Sequence, residues 1–131
     1  MTKVRAQYHF RQTSTGLDAW DVRRLIALSE KLPVKQIDPN NISEIDANHW
    51  YLEAGLTPTP RSIIDHAKLI AECDISYPII LDSGGRLMDG MHRVCRAIMD
   101  KVDSLPAVQF LIDPPPDHTD CDPKKLPYDN D

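Results

Sequence analysis

The chain is poor in aromatic residues, at 6%, and has only 5 glycines in 131 residues. It is also short of positive charge. Lysine and arginine number 15 against 20 aspartates and glutamates, for a net charge of −5. That balance excludes a broad basic surface of the kind that coats DNA or RNA, and leaves room only for a small local basic site. No stretch approaches the roughly 20 apolar residues that span a bilayer. The opening MTKVRAQYHF lacks the apolar core of a signal peptide. Cysteine is scarce and odd in number: Cys73, Cys95 and Cys121 stand at wide, unpatterned spacing. This excludes a disulfide framework and leads to the expectation of reduced thiols in a cytoplasmic protein. His49, His66 and the cysteines lack zinc-ligand spacing, so no structural metal is expected. There is no internal repeat.

What is present suits one domain. Hydrophobic residues make up 41% and charged residues 27%, the mixture of a globular protein with one modest core. Three regions are expected: an N-terminal extension with a helix (1–32), a core (33–112) and a proline-rich acidic tail (113–131). The tail reads as extended or disordered, since five of the 11 prolines fall in the last 18 residues.

Periodicity and turn chemistry predict the elements. A strand is expected over Val4 to Phe10. A helix follows from Asp18 or Asp21 to Lys31, with Val22, Leu25, Ile26 and Ser29 on one face and Pro33 as its stop. Val34 to Ile37 reads as a strand and residues 38–41 as a turn. Residues 42–57, with Glu44, Asp46, His49, Trp50 and Glu53, follow no period. Thr59 before Pro60 caps a helix to Cys73, with Ile63, Ala67 and Ile70 expected inward. Strands are predicted over Tyr77 to Leu81 and Arg86 to Met88, separated by the turn at 82–85. A helix from Met91 turns Met91, Val94, Cys95 and Ile98 to the core, and Leu105 to Ile112 forms a last strand. Trp20 and Trp50 read as core or lid residues, and Tyr77 as packing.

Chemistry concentrates in Asp89-Gly90-Met91-His92-Arg93. A strand ends, a glycine lets the backbone turn closely, and a helix starts with N–H groups that lack partners. The positive end of the helix favours a phosphate there. Arg93 offers a planar fork for phosphate oxygens, and His92 a hydrogen bond or a charge. Asp89 is open to three roles: capping the helix, holding an arginine, or binding a Mg²⁺ that accompanies a nucleotide. Arg96 reads as part of a solvated face. Arg61 and Ser62, in the first turn of the Pro60 helix, offer a second phosphate contact.

The run YPIILDSGGRLMDGMHRVCRAIMDKVDSLPAVQF resembles the core of the ParB/sulfiredoxin superfamily, over roughly residues 33–112 and most strongly over 77–110. The resemblance implies a small mixed sheet packed by three or more helices. Sulfiredoxins carry Gly-Cys-His-Arg where this chain has Gly90-Met91-His92-Arg93. The thioether of Met91 cannot ionise, so the resemblance does not extend to sulfiredoxin chemistry. Partitioning ParB proteins carry Gly-Glu-Arg-Arg and use it in CTP binding. Met91 and His92 replace the glutamate and first arginine, and no helix-turn-helix follows residue 112, so specific DNA binding is not expected. The free-serine kinase-like members carry Asp-Gly-His-His-Arg, which differs from this chain only at Met91. They use an upstream glutamate as base, and Glu44 is the candidate here.

The expectation is therefore an α/β (α+β) domain that binds a nucleotide or other phosphorylated small molecule. Gly90, Met91, His92, Arg93, Arg61 and Ser62 would form the phosphate site. Asp89 and Glu44 would be the catalytic carboxylates, with Mg²⁺ at Asp89. The reaction class is phosphoryl transfer or nucleotide hydrolysis. The alternative is a non-catalytic regulatory or protein-interaction module, with a homodimer or protein partner. Nuclease activity stands last, since the acidic chain offers no basic groove.

Overall fold

The computed structural model describes residues 7–51 and 56–128. Residues 4–6 of the first expected strand, and Glu53, lie outside them. Strands β1 (Tyr8–Gln12) and β2 (Leu17–Asp21) form an antiparallel hairpin. Helix α1 (Val22–Ser29) follows directly, and the Asp21 carboxylate caps it by accepting the Arg23 N–H. After β3 (Lys35–Ile37) come two 3-10 turns, Pro39–Asn41 and Ser43–Asp46. Helix α2 (Pro60–Glu72) starts where predicted, with Thr59 accepting the Ser62 N–H. Strands β4 (Ile79–Leu81) and β5 (Leu87–Asp89), helix α3 (Met91–Met99) and strand β6 (Leu105–Gln109) complete the domain, and a third 3-10 turn, Pro123–Lys125, lies in the tail.

The four core strands form one mixed sheet in the order β3-β6-β4-β5, in which only β4 and β6 run parallel. The class is α+β, with two sheets and three α-helices among the described residues. The period-2 alternation of the strands sorts the core onto two faces. Ile79, Leu81, Leu87, Leu105 and Ala107 face α3, where Met91, Val94 and Ala97 meet them with Ile42. Ile80, Met88, Val108 and Phe110 face the other way, onto Trp20 and Leu25 from the hairpin and α1. The sheet is thus buried on both sides, and the N-terminal extension supplies one of its covers.

Asp82 secures the tight turn between β4 and β5. The side chain is fully buried, and Oδ1 accepts the N–H groups of Gly84 and Arg86 at 2.9 and 2.8 Å. Its other oxygen meets Arg11 at 2.9 Å and Arg86 at 3.0 Å. Burial alone raises this carboxyl; the Arg86 N–H, the two guanidinium groups and the Gly84 N–H together outweigh it and hold the pKa below the ordinary value.

Three expectations change. The inward stripe of α2 is Ser62, His66 and Ile70, while Ile63 and Ala67 are exposed. The polar pair Ser62 and His66 has partners inside, and so sets the rotation of the helix. Strand β6 stops at Gln109, leaving Leu111 and Ile112 in solvent. Tyr77 is exposed rather than packed. The tail takes the extended alternative, interrupted by the 3-10 turn Pro123–Lys125. His118 bridges to Ala19 of β2, and Cys121 N–H donates to Leu17 C=O at 3.0 Å. Trp20 Nε1 donates to Pro114 C=O at 2.8 Å, and Arg24 pairs with Asp117 at 3.2 Å.

Candidate functional site

The Asp89 to Arg93 segment lies at the junction of β5 and α3. Gly90 caps α3 with φ +118°, and a Cβ there would stand 2.5 Å from Ile79 Cγ2. Only glycine combines this left-handed backbone with so close an approach to β4. The first intrahelical bond is Val94 N–H to Gly90 C=O, at 3.0 Å. The N–H groups of Met91, His92 and Arg93 are those that an α-helix leaves without a partner.

Arg93 is already engaged. Its guanidinium donates to Asp89 Oδ2 at 2.8 Å, and to the carbonyls of Pro78 and Tyr77 at 2.9 and 3.2 Å. Of the three roles open to Asp89, holding an arginine is the one the structure has; the cap position belongs to Gly90, without a side-chain cap. Burial raises the Asp89 carboxyl above its usual value, and Arg93 opposes that rise without cancelling it. The pair latches the end of β5 to the entry of β4. This is a correction to the expected free arginine fork.

His92 leaves the helix toward α2. Its Nε2 shares a 2.8 Å hydrogen bond with His66 Nδ1. The Trp50 indole stacks on both rings, 3.9 Å from His66 and 5.1 Å from His92 between centroids. Tyr51 continues the cluster, sharing a 2.9 Å hydrogen bond with Ser62 Oγ and meeting His66 edge-on. Desolvation, then the neighbouring His66, His49 and Arg93, lowers the His92 pKa to about 4; burial also lowers His66 and His49. Both members of the His66–His92 pair are therefore neutral near pH 7. His92 acts here as a hydrogen-bonding group and not as a charge.

Glu44 sits on the second 3-10 turn. Its Oε2 accepts the Leu87 N–H at 2.9 Å, and Oε1 accepts from Ser43 Oγ at 3.1 Å. It borders a pocket of about 150 Å³ between the 44–51 segment and the flank of α3, with His49, Trp50, Met91 and Cys95 among its walls. Ser62 is drawn into the Tyr51 contact, whereas Arg61 is exposed at the start of α2 and makes no hydrogen bond or ion pair to the β5–α3 junction among the described residues. Arg96 is not a solvated face. Its guanidinium donates to Ala71 C=O at 2.6 Å and, at 3.5 Å each, to the Ile70 and Cys73 carbonyls. It therefore closes the C-terminal end of α2, where unpaired carbonyls and the helix dipole favour a cation.

The Trp50–His66–His92 stack is the part of the site that sequence reasoning missed. Trp50 lies in a segment without a period, and His66 lacks metal-ligand spacing. The one available signal was His66 standing four residues after Ser62, which puts both polar side chains on one face of α2. Among the described residues no group of three His, Cys, Asp or Glu is arranged to hold a metal ion, and no helix is long and apolar enough to cross a membrane. No family model matches the chain, and neither the curated proteins nor the solved structures contain a match.

Proposed function

We propose that this chain is a ParB/sulfiredoxin-type domain that binds a nucleotide or other phosphorylated ligand at the β5–α3 junction. The observation that carries the reading is the opening of α3. The helix starts at Met91 without a side-chain cap, beside the pocket that Met91 and Glu44 border. The amides of Met91, His92 and Arg93, with the helix dipole behind them, are the anion donors. The Arg93 guanidinium holds the junction in shape, and its fork reaches a ligand only by leaving a carbonyl. Trp50 and Tyr51 form the wall against which the ligand packs. Mg²⁺ is commonly held by one or two carboxylates together with substrate phosphates, and Asp89 would hold such an ion here only on releasing Arg93. The ion supplies charge neutralisation when bound with the nucleotide.

Binding without turnover is the second reading, and one observation favours it. Both candidate catalytic carboxylates are engaged, Asp89 by Arg93 and Glu44 by the Leu87 N–H. A base must be free to take a proton from the group it activates.

The test is thermal unfolding with ATP, ADP, CTP, GTP and inorganic phosphate, each with and without Mg²⁺. A ligand at about 100 times its Kd adds about 2.7 kcal/mol to stability, a clear rise in Tm. His92→Glu places a carboxylate at the helix opening and is expected to weaken binding about tenfold or more. Absence of a shift across the panel ends the proposal. A shift that His92→Glu leaves intact puts the ligand elsewhere. Product formation abolished by Glu44→Gln, with binding retained, decides for turnover.

A further inference from the structure

We propose that α2 is a homodimerisation surface, packing antiparallel against α2 of a second copy of this chain. The helix has 13 residues and none of them is buried. Ile63 and Ile64 are 53% and 64% exposed. With Ala67 and Ala71 they form a continuous apolar stripe, turned away from the Ser62–His66–Ile70 stripe that meets α3. Such a stripe on a chain of this length marks an interaction face.

Charge decides the occupant. Arg61, Asp65, Lys68 and Glu72 follow the spacing i, i+4, i+7, i+11, so all four lie on one flank of the apolar stripe. None of them takes part in an ion pair among the described residues. Read from either end, the flank is self-complementary: plus, minus, plus, minus forward is minus, plus, minus, plus in reverse. A two-fold axis near Ala67 brings the same flank of both helices side by side. Arg61 of each copy then meets Glu72 of the other, and Asp65 meets Lys68, giving four pairs. In a parallel pair the two-fold axis runs along the helices and places the flank on opposite sides of the seam, so these charges gain no partners from their copies. Along the stripe, Ile63 faces Ala71 of the second copy, and the small Ala67 side chains meet at the axis and let the helices approach. The flank thereby specifies both the partner and its direction.

One pair of 13-residue helices gives a small interface, so the dimer is expected to be reversible and concentration-dependent. Sedimentation velocity on the full chain, from about 1 to about 300 µM, covers the range in which such small interfaces associate. The expected result is a monomer–dimer equilibrium in low salt, weakened at 0.5 M NaCl. Ile64→Glu, at an exposed position, is expected to leave the circular dichroism unchanged and abolish the dimer. The double variant Arg61→Glu/Lys68→Glu should also be monomeric. Adding Asp65→Lys and Glu72→Lys to it restores self-association by reversing every pair. A monomer throughout the concentration range overturns the proposal. So does a dimer indifferent to both Ile64→Glu and the charge variants.

Discussion

Gly90 is where backbone geometry constrains a single residue most tightly. Its φ of +118° is open to glycine, and a Cβ would lie 2.5 Å from Ile79 Cγ2 and 3.0 Å from the Arg93 guanidinium. Gly90→Ala therefore combines left-handed strain with overpacking of β4. Together these should cost about 3 kcal/mol or more, measured by urea unfolding. A loss within about 0.5 kcal/mol, the range of a neutral surface change, would mean that the β4–α3 approach relaxes. The same close approach shows that the glycine at this junction serves packing. Its missing Cβ also leaves room for the Arg93 guanidinium, which reaches Asp89 and the Tyr77 and Pro78 carbonyls.

At the scale of elements, α2 and α3 are joined through polar rings and carbonyls. The His66–His92 bond needs one ring to donate and the other to accept, so protonating both rings removes it. Burial lowers the folded-state pKa of His92 to about 4 and that of His66 below its usual 6.5. Between those values the unfolded chain binds more protons than the folded one. Stability from this cluster is thus fully present above about pH 6.5 and is lost as pH falls toward 4. His9, lowered to about 4 by burial and then by Arg11 and His49, adds a loss of the same sign. Urea unfolding at a series of pH values should show this slope, and His92→Gln should flatten it. Equal slopes in both proteins would place the titration elsewhere. Because Trp50 stacks on both rings, its fluorescence should report the same transition.

For the molecule as a whole, the tail is part of the fold. It runs along β2, covers Trp20 and is tied by backbone bonds at Ala19 and Leu17. Ending the chain after Ile112 removes these bonds, the Asp117 contacts to Arg24 and Asp21, and the packing of His118 against Tyr8. The Trp20 N–H loses its acceptor, and its ring gains solvent. The expected outcome is a loss of at least about 3 kcal/mol, from several hydrogen bonds at about 1 kcal/mol each plus buried apolar area. A red-shifted Trp emission should accompany it. Unchanged unfolding and emission would show that the hairpin and α1 hold Trp20 without the tail.

The local sequence determined most of the elements. Thr59-Pro60, Asp21 and the turn at 82–85 carry start and stop chemistry that acts within a few residues, and they sit where the pattern placed them. The apolar run Ile79-Ile80-Leu81 marked a buried strand, whereas the division of the core between two faces came with the packing of α3 on one side and of the hairpin and α1 on the other. Tertiary structure decided what depends on partners distant in the chain. Arg93 and Arg96 are donors by type, but which carbonyls they meet follows from the packing of β4 and α2 against α3. The rotation of α2 followed polar partners on Tyr51 and His92, because a hydrogen-bonded ring stack outweighed the burial of Ile63. The tail's prolines left an extended or a disordered path open, and its seat on β2 required a hairpin whose free edge accepts it.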